Sequence, residues 1–183
     1  TFEEQDLYVF TGCVFRGGDT YYLYYTGHNP HYPYDGRAQE VILLATSKDL
    51  LTWEKQKDFA LGAPEWYEKD DFRDPFVYYD DSRGLYRMLL AARAKEGPNE
   101  RRGVTAVAES EDLLHWTVCK EPFYAPGSYF THECPDLFRL GDWYYLLFSE
   151  FSDRSVTRYR MARSMDGPWT VPAHDTFDGH CFY

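Results

Sequence analysis

Two carboxylates stand where apolar runs begin: Asp74 in "FRDPFVYY" (72–79) and Glu133 in "HECPDLF" (132–138). A charge at the mouth of a buried strand is costly unless it has a partner or a task. Singly, Asp74 reads as the cap of a turn before Pro75, and Glu133 as the partner of a nearby base such as Arg73. Brought together among aromatic side chains, two such acids suit glycosidic bond cleavage. One carboxylic acid protonates the leaving oxygen, and carboxylates attack or stabilise an oxocarbenium-like centre. That division of labour requires their pKa values to be pushed apart, which burial and mutual repulsion can do.

A repeat places both acids. Three segments share one plan: "FTGCVFRGGDTYYLYYTG" then "EVILLATSKDLLTWEK", "FRDPFVYYDDSRGLYRMLLAARA" then "GVTAVAESEDLLHWTV", and "HECPDLFRLGDWYYLLFSE" then "VTRYRMARSMDGPWTV". Ser47, Ser110 and Ser164 recur at similar intervals and mark the unit. The turns "RGGDT", "YDDSRG" and "RLGD" are rich in Gly and Asp and separate apolar or aromatic runs, as hairpins demand. A second turn, Ser-x-Asp-Leu-Leu-x-Trp, closes the first two units and shortens to "SMDGPW" in the third. Four short antiparallel strands at this period predict blades of a β-propeller, and nothing sustains the 3.6-residue period of a helix.

The expected architecture is therefore all-β: part of a five-bladed propeller, with blades at about 8–56, 72–120 and 132–172 and a further blade opening at 178–183. Placing the units in register puts Thr11-Gly12-Cys13, Arg73-Asp74-Pro75 and His132-Glu133-Cys134 at the entry to the first strand. First strands line the central channel of a propeller, so Asp74 and Glu133 are expected at equivalent positions facing one funnel.

Composition agrees with that architecture. The chain of 183 residues is the size of one ordinary domain, and 17 Tyr, 13 Phe and 5 Trp favour strands and supply flat faces for stacking. A formal charge of −11 argues against a nucleic-acid partner, since binding phosphates needs clustered Lys and Arg. A neutral or cationic ligand fits better. Cys13, Cys119, Cys134 and Cys181 are widely spaced without a C-x-x-C pair, which points to free thiols rather than a zinc site or a disulfide framework. No run approaches the roughly 18 apolar residues of a membrane span, and "TFEEQDLYVF" lacks a basic region followed by an apolar one, so the compartment stays open.

"FRDPFV" and "HECPDLF" resemble the R-D-P and E-C-P motifs of glycoside hydrolase family 32, the invertases, levanases, inulinases and sucrose-6-phosphate hydrolases. "FTGCV" is similar to that family's F-S-G motif, with Thr11 where Ser is usual, and "FDGHCFY" to the opening of its next blade. The resemblance implies that Glu133 is the general acid/base and Asp74 the residue that holds the fructosyl hydroxyls and stabilises the transition state. It implies that Arg73 tunes Glu133, that Cys134 helps set its environment, that Phe10 and Thr11 line the fructosyl pocket, and that Tyr183 approaches from the following blade. The implied partner is a sucrose- or fructan-like saccharide, without metal or organic cofactor. The family's nucleophile lies in a Trp-Met-Asn-Asp-Pro-Asn-Gly motif, and no such stretch occurs here. The expectation is that this first blade and the family's C-terminal β-sandwich lie outside the chain, which is then inactive alone. The competing readings are a carbohydrate-binding propeller without catalysis and a related hydrolase of arabinose or xylose polymers.

Other chemistry-bearing residues have plainer readings. His28, His31 and Asp35 in "GHNPHYPYDGR" match no zinc spacing and read as a long loop. Trp66 and Tyr67 either stack on a sugar at the funnel rim or seal adjacent blades. Trp53, Trp116 and Trp169 recur once per unit and read as packing, and Arg101 and Arg102 as part of a solvated loop.

Overall fold

A computed structural model describes residues 2–152 and 154–176. Four strands, β1 (Tyr8–Gly17), β2 (Thr20–His28), β3 (Glu40–Ser47) and β4 (Glu54–Lys55), form an antiparallel sheet in chain order. Next come β5 (Tyr67–Asp80), β6 (Leu85–Ala94), β7 (Gly103–Ser110) and β8 (Thr117–Val118), again in order. The third sheet holds β9 (Glu133–Leu140), β10 (Trp143–Glu150) and β11 (Val156–Ala162). The only helical pieces among the described residues are two 3₁₀ turns, at Tyr32–Asp35 and Asn99–Arg101.

The hairpins follow from their turn residues. Gly17 pairs with Thr20 and Leu140 with Trp143, leaving two-residue connections headed by Gly18 and Gly141. Both glycines have positive φ (60° and 61°), the conformation a tight hairpin needs at its first central position. The outer turn is built twice with the same parts. Ser47 Oγ accepts the N–H of Leu50, and Asp49 Oδ1 accepts those of Leu51 and Thr52. Ser110 and Asp112 repeat these bonds to Leu113, Leu114 and His115. The indoles of Trp53 and Trp116 donate to the carbonyls of Leu50 and Leu113. In the third unit this turn departs from the four-strand plan. Pro172, at the place from which Gln56 and Cys119 donate to Leu44 and Val107, has no N–H to give the ladder, and the outer strand shrinks to a single bridge between Met161 and Thr170.

The middle sheet is buried on both faces, and alternation along its strands divides two cores. Met88, Leu90, Ala106 and Ala108 pack toward the first sheet against Tyr24, Ile42 and Leu44. Leu89 and Val107 point the other way, onto Leu137, Leu146 and Phe148 of the third. Tyr24 adds a polar tie by donating to the carbonyl of Leu113. The consequence for function is that β1, β5 and β9, each first in its sheet, run side by side.

Candidate active site

Each of these inner strands carries a bulge at the same place. Phe10-Thr11 stand opposite Thr26, Asp74-Pro75 opposite Leu90, and Cys134-Pro135 opposite Phe148. The extra residue re-aims the side chains next to it, a common device at active sites. Asp74 and Cys134 take positive φ there, 57° and 47°. A non-glycine residue in this region costs roughly 1–2 kcal/mol, so the surrounding structure must hold it.

The bulges correct the expected register by one residue. The prolines are equivalent, so Asp74 matches Cys134 and Phe10, while Glu133 matches Arg73 and Val9. Aligning the carboxylates with each other puts Pro75 and Pro135, which stand at the same place in their bulges, one residue out of step. The corrected register has a direct physical result: Arg73 and Glu133 occupy the same position on neighbouring strands and meet, with Arg73 Nη2 2.6 Å from Glu133 Oε1.

Hydrogen bonds tie the three bulges together. Thr26 Oγ1 donates to the carbonyl of Thr11 at 3.2 Å and accepts the Asp74 N–H at 2.9 Å. Asp74 Oδ2 accepts the Cys134 N–H at 3.0 Å, and the Cys134 thiol lies 3.5 Å from the Thr11 hydroxyl. Phe10, Thr11, Arg73, Asp74, Glu133 and Cys134 together line a cavity of about 270 Å³. Phe10 forms its wall by stacking on His28, ring centroids 4.3 Å apart.

The electrostatics are those of several buried acids around one guanidinium. Burial pushes the Asp74 carboxyl up to about 6, against the Cys134 N–H and Arg73, with Glu133 and Glu40 adding to the rise. Burial also raises Glu40 and Asp71. Arg73 is held protonated: burial opposes its charge, but Glu40, Glu133 and Asp74 outweigh that and lift its pKa. The Cys134 thiol is pushed up to about 12, first by burial and then by Asp74, so it stays neutral.

Six of the expected site residues thus share one cavity. Trp66 is apart from them: it lines a separate hollow with Glu65, Ala94 and Lys95, and its indole donates to the Cys119 carbonyl, which fits sealing between blades. Tyr183 lies outside the described residues. Two participants escaped the sequence reading, the fully buried Thr26 and Glu40, which is 4% exposed and lies 3.0 Å from Arg73 Nη1. Glu40 opens "EVILLATS" as Glu133 opens its own strand, so a signal of the same kind was present.

The remaining candidates have local partners. Asp35 pairs with Arg37, His31 meets the ring of Phe2, and His28 Nδ1 sits 3.3 Å from Glu40 Oε1. Among the described residues no group of three His, Cys, Asp or Glu could hold a metal ion. Arg102 is engaged by Glu68 at 2.7 Å.

Comparison with known proteins identifies the ancestry of this arrangement. The model of the glycosyl hydrolases family 32 N-terminal domain matches residues 2–175. Sucrose-6-phosphate hydrolase of Escherichia coli is 34% identical over 143 residues, covering 76% of this chain and 28% of that protein. Among solved structures, sucrose-6-phosphate hydrolase from Lactobacillus gasseri superimposes with a TM-score of 0.70 at 22% identity, covering 87% of this chain and 33% of that one. Inulosucrase from Halalkalicoccus jeotgali bound to kestose gives 0.69 at 18% identity, over 90% and 52% of the two chains. The fold is therefore that of β-propeller blades, and the chain spans under a third of the length of the Escherichia coli relative. With the family model spanning almost all of it, this chain belongs to glycosyl hydrolase family 32.

Proposed function

We propose that these residues form part of the active site of a retaining β-fructofuranosidase acting on sucrose, fructo-oligosaccharides or fructans. The observation that carries the reading is the contact of Arg73 with Glu133 beside the buried Asp74, within one cavity. Glu133 in its acid form protonates the glycosidic oxygen as the bond from fructosyl C2 breaks. A carboxylate nucleophile takes C2, giving a fructosyl-enzyme intermediate. Glu133, now a base, removes a proton from water, which attacks C2 and frees the nucleophile and fructose. Asp74 accepts hydrogen bonds from the fructosyl hydroxyls and stabilises the oxocarbenium-like charge. Phe10 and Thr11 shape the sugar wall, and Cys134 presents its N–H to Asp74.

The nucleophile is assigned to a further blade of the same propeller, because none of the 183 residues forms the family's Asp-containing motif. The chain as given, about 8–172 in three blades, is then inactive alone, whereas the complete propeller hydrolyses β-fructosides. A hydrolysis assay on sucrose and levan checks both statements. Turnover by the 183-residue chain would refute the missing-nucleophile reading, and an inert complete propeller that still binds fructans would favour the non-catalytic one.

A further inference from the structure

Glu40 has no part in the reaction just described, yet it is a buried carboxylate beside the acid's partner. Its Oε2 accepts the Phe72 N–H at 3.3 Å and lies 3.0 Å from Arg73 Nη1. The Arg73 guanidinium is thus divided, with Nη1 toward Glu40 and Asp71 and Nη2 toward Glu133. Resting on the functional reading above, we propose that Glu40 is a positioning residue for Glu133. It fixes the guanidinium of Arg73 and takes up part of its charge, so that Glu133 keeps a proton to donate.

The physical reason is a conflict built into the pair. A guanidinium 2.6 Å from a carboxylate favours the ionised form, which is the wrong form for a proton donor. A second carboxylate on the same guanidinium weakens that field and adds its own repulsion, and both effects favour protonated Glu133. Asp71 stands at the same 3.0 Å from Arg73 Nη1, but its side chain is 27% exposed against 5% for Glu40, so solvent screens its field more. On β5, Asp71 divides itself between Arg73 and Arg93 of β6, which is 3.6 Å away, and Asp74 lies 3.9 Å from Arg73 Nε. On β2, burial and then Arg73 lower the pKa of His28, which leaves it neutral. On β9, Cys134 keeps its thiol proton.

The test is the pH dependence of kcat/KM for sucrose in the complete protein, comparing wild type with Glu40→Gln and Glu40→Asp. The alkaline limb reports the free enzyme's acid. Glu40→Gln is expected to move that limb down by about one pH unit, and Glu40→Asp to restore most of the shift. A folded Glu40→Gln variant whose limb superimposes on wild type would overturn the inference. Should Glu40→Gln fail to fold, Glu40→Asp decides alone. Withdrawing the carboxylate by one methylene is expected to leave a remainder of a few tenths of a pH unit in the alkaline limb at unchanged KM, and a limb that superimposes on wild type would overturn the inference. A wild type inert on every β-fructoside would remove the functional reading and this inference with it. Active wild type with unshifted variants would remove the inference only.

Discussion

The inner and outer ends of the blades repeat in opposite ways. At the outer turns the residues recur along with the backbone: Ser47 and Asp49 make the same bonds as Ser110 and Asp112, and Leu50 and Leu113 share a positive φ of 64° and 68°. At the inner bulges the two-against-one pairing recurs and the residues do not, with Val9-Phe10-Thr11, Arg73-Asp74-Pro75 and Glu133-Cys134-Pro135 in matched places and a left-handed residue in the second and third. Constant residues on a constant backbone serve the fold. Varied residues on a recurring strand pairing give each blade its own contribution to one cavity, and this is how a repeat protein builds an asymmetric site.

That contrast can be broken by mutations in the complete propeller. Glu133→Gln is expected to lower kcat on sucrose by about 10²–10⁴, the usual contribution of a general acid/base, while the melting temperature barely moves. Asp74→Asn is expected to lower kcat by about 10²–10³ through loss of transition-state stabilisation, with a stability signature that depends on pH. The Asp74 carboxyl has a folded pKa of about 6, above that of the unfolded chain, so the folded state binds the extra proton between the two values. Its contribution to stability is best below the unfolded pKa and is lost as pH rises through the folded one. Asp74→Asn should therefore be more stable than wild type above about pH 6, by on the order of 2–3 kcal/mol, with the gap closing below about pH 4.

Outer-turn changes should invert the pattern. Asp49→Ala removes the acceptor of two backbone N–H groups and is expected to cost about 1 kcal/mol in chemical denaturation, with kcat unchanged. Leu50→Gly is the smallest change: it relieves a left-handed backbone at a half-exposed side chain and should stabilise by about 0.5 kcal/mol, again without effect on kcat.

The same contrast governs what could be read in the chain. The blades were legible because Gly-Asp hairpins and the Ser-x-Asp-Leu-Leu-x-Trp turn are local signals. Asp74 and Glu133 were legible because a charge opening an apolar strand is conspicuous. Their register was not, since matching acid to acid sets Pro75 against Cys134, and a one-residue slip changes which side chains meet on neighbouring strands. Thr26 was hidden because its two bonds run to Thr11 and Asp74, a relation that exists only once sheets pack. Glu40 had the right kind of signal, but its weight comes from Arg73, a residue of the next blade. The third outer strand is shorter than "SMDGPWTV" suggests because Pro172, just beyond it, leaves the ladder without a donor.

The central claim, that Glu133 is the proton donor rather than only the partner of Arg73, is tested most directly by changing the leaving group. Sucrose needs a proton on its departing oxygen, whereas β-fructosyl fluoride does not. Glu133→Gln in the complete propeller is expected to release fluoride in a rapid burst of about one equivalent per active site, followed by slow turnover, while cleaving sucrose at least about 10² more slowly than wild type. Equal losses on both substrates without a burst would contradict the assignment.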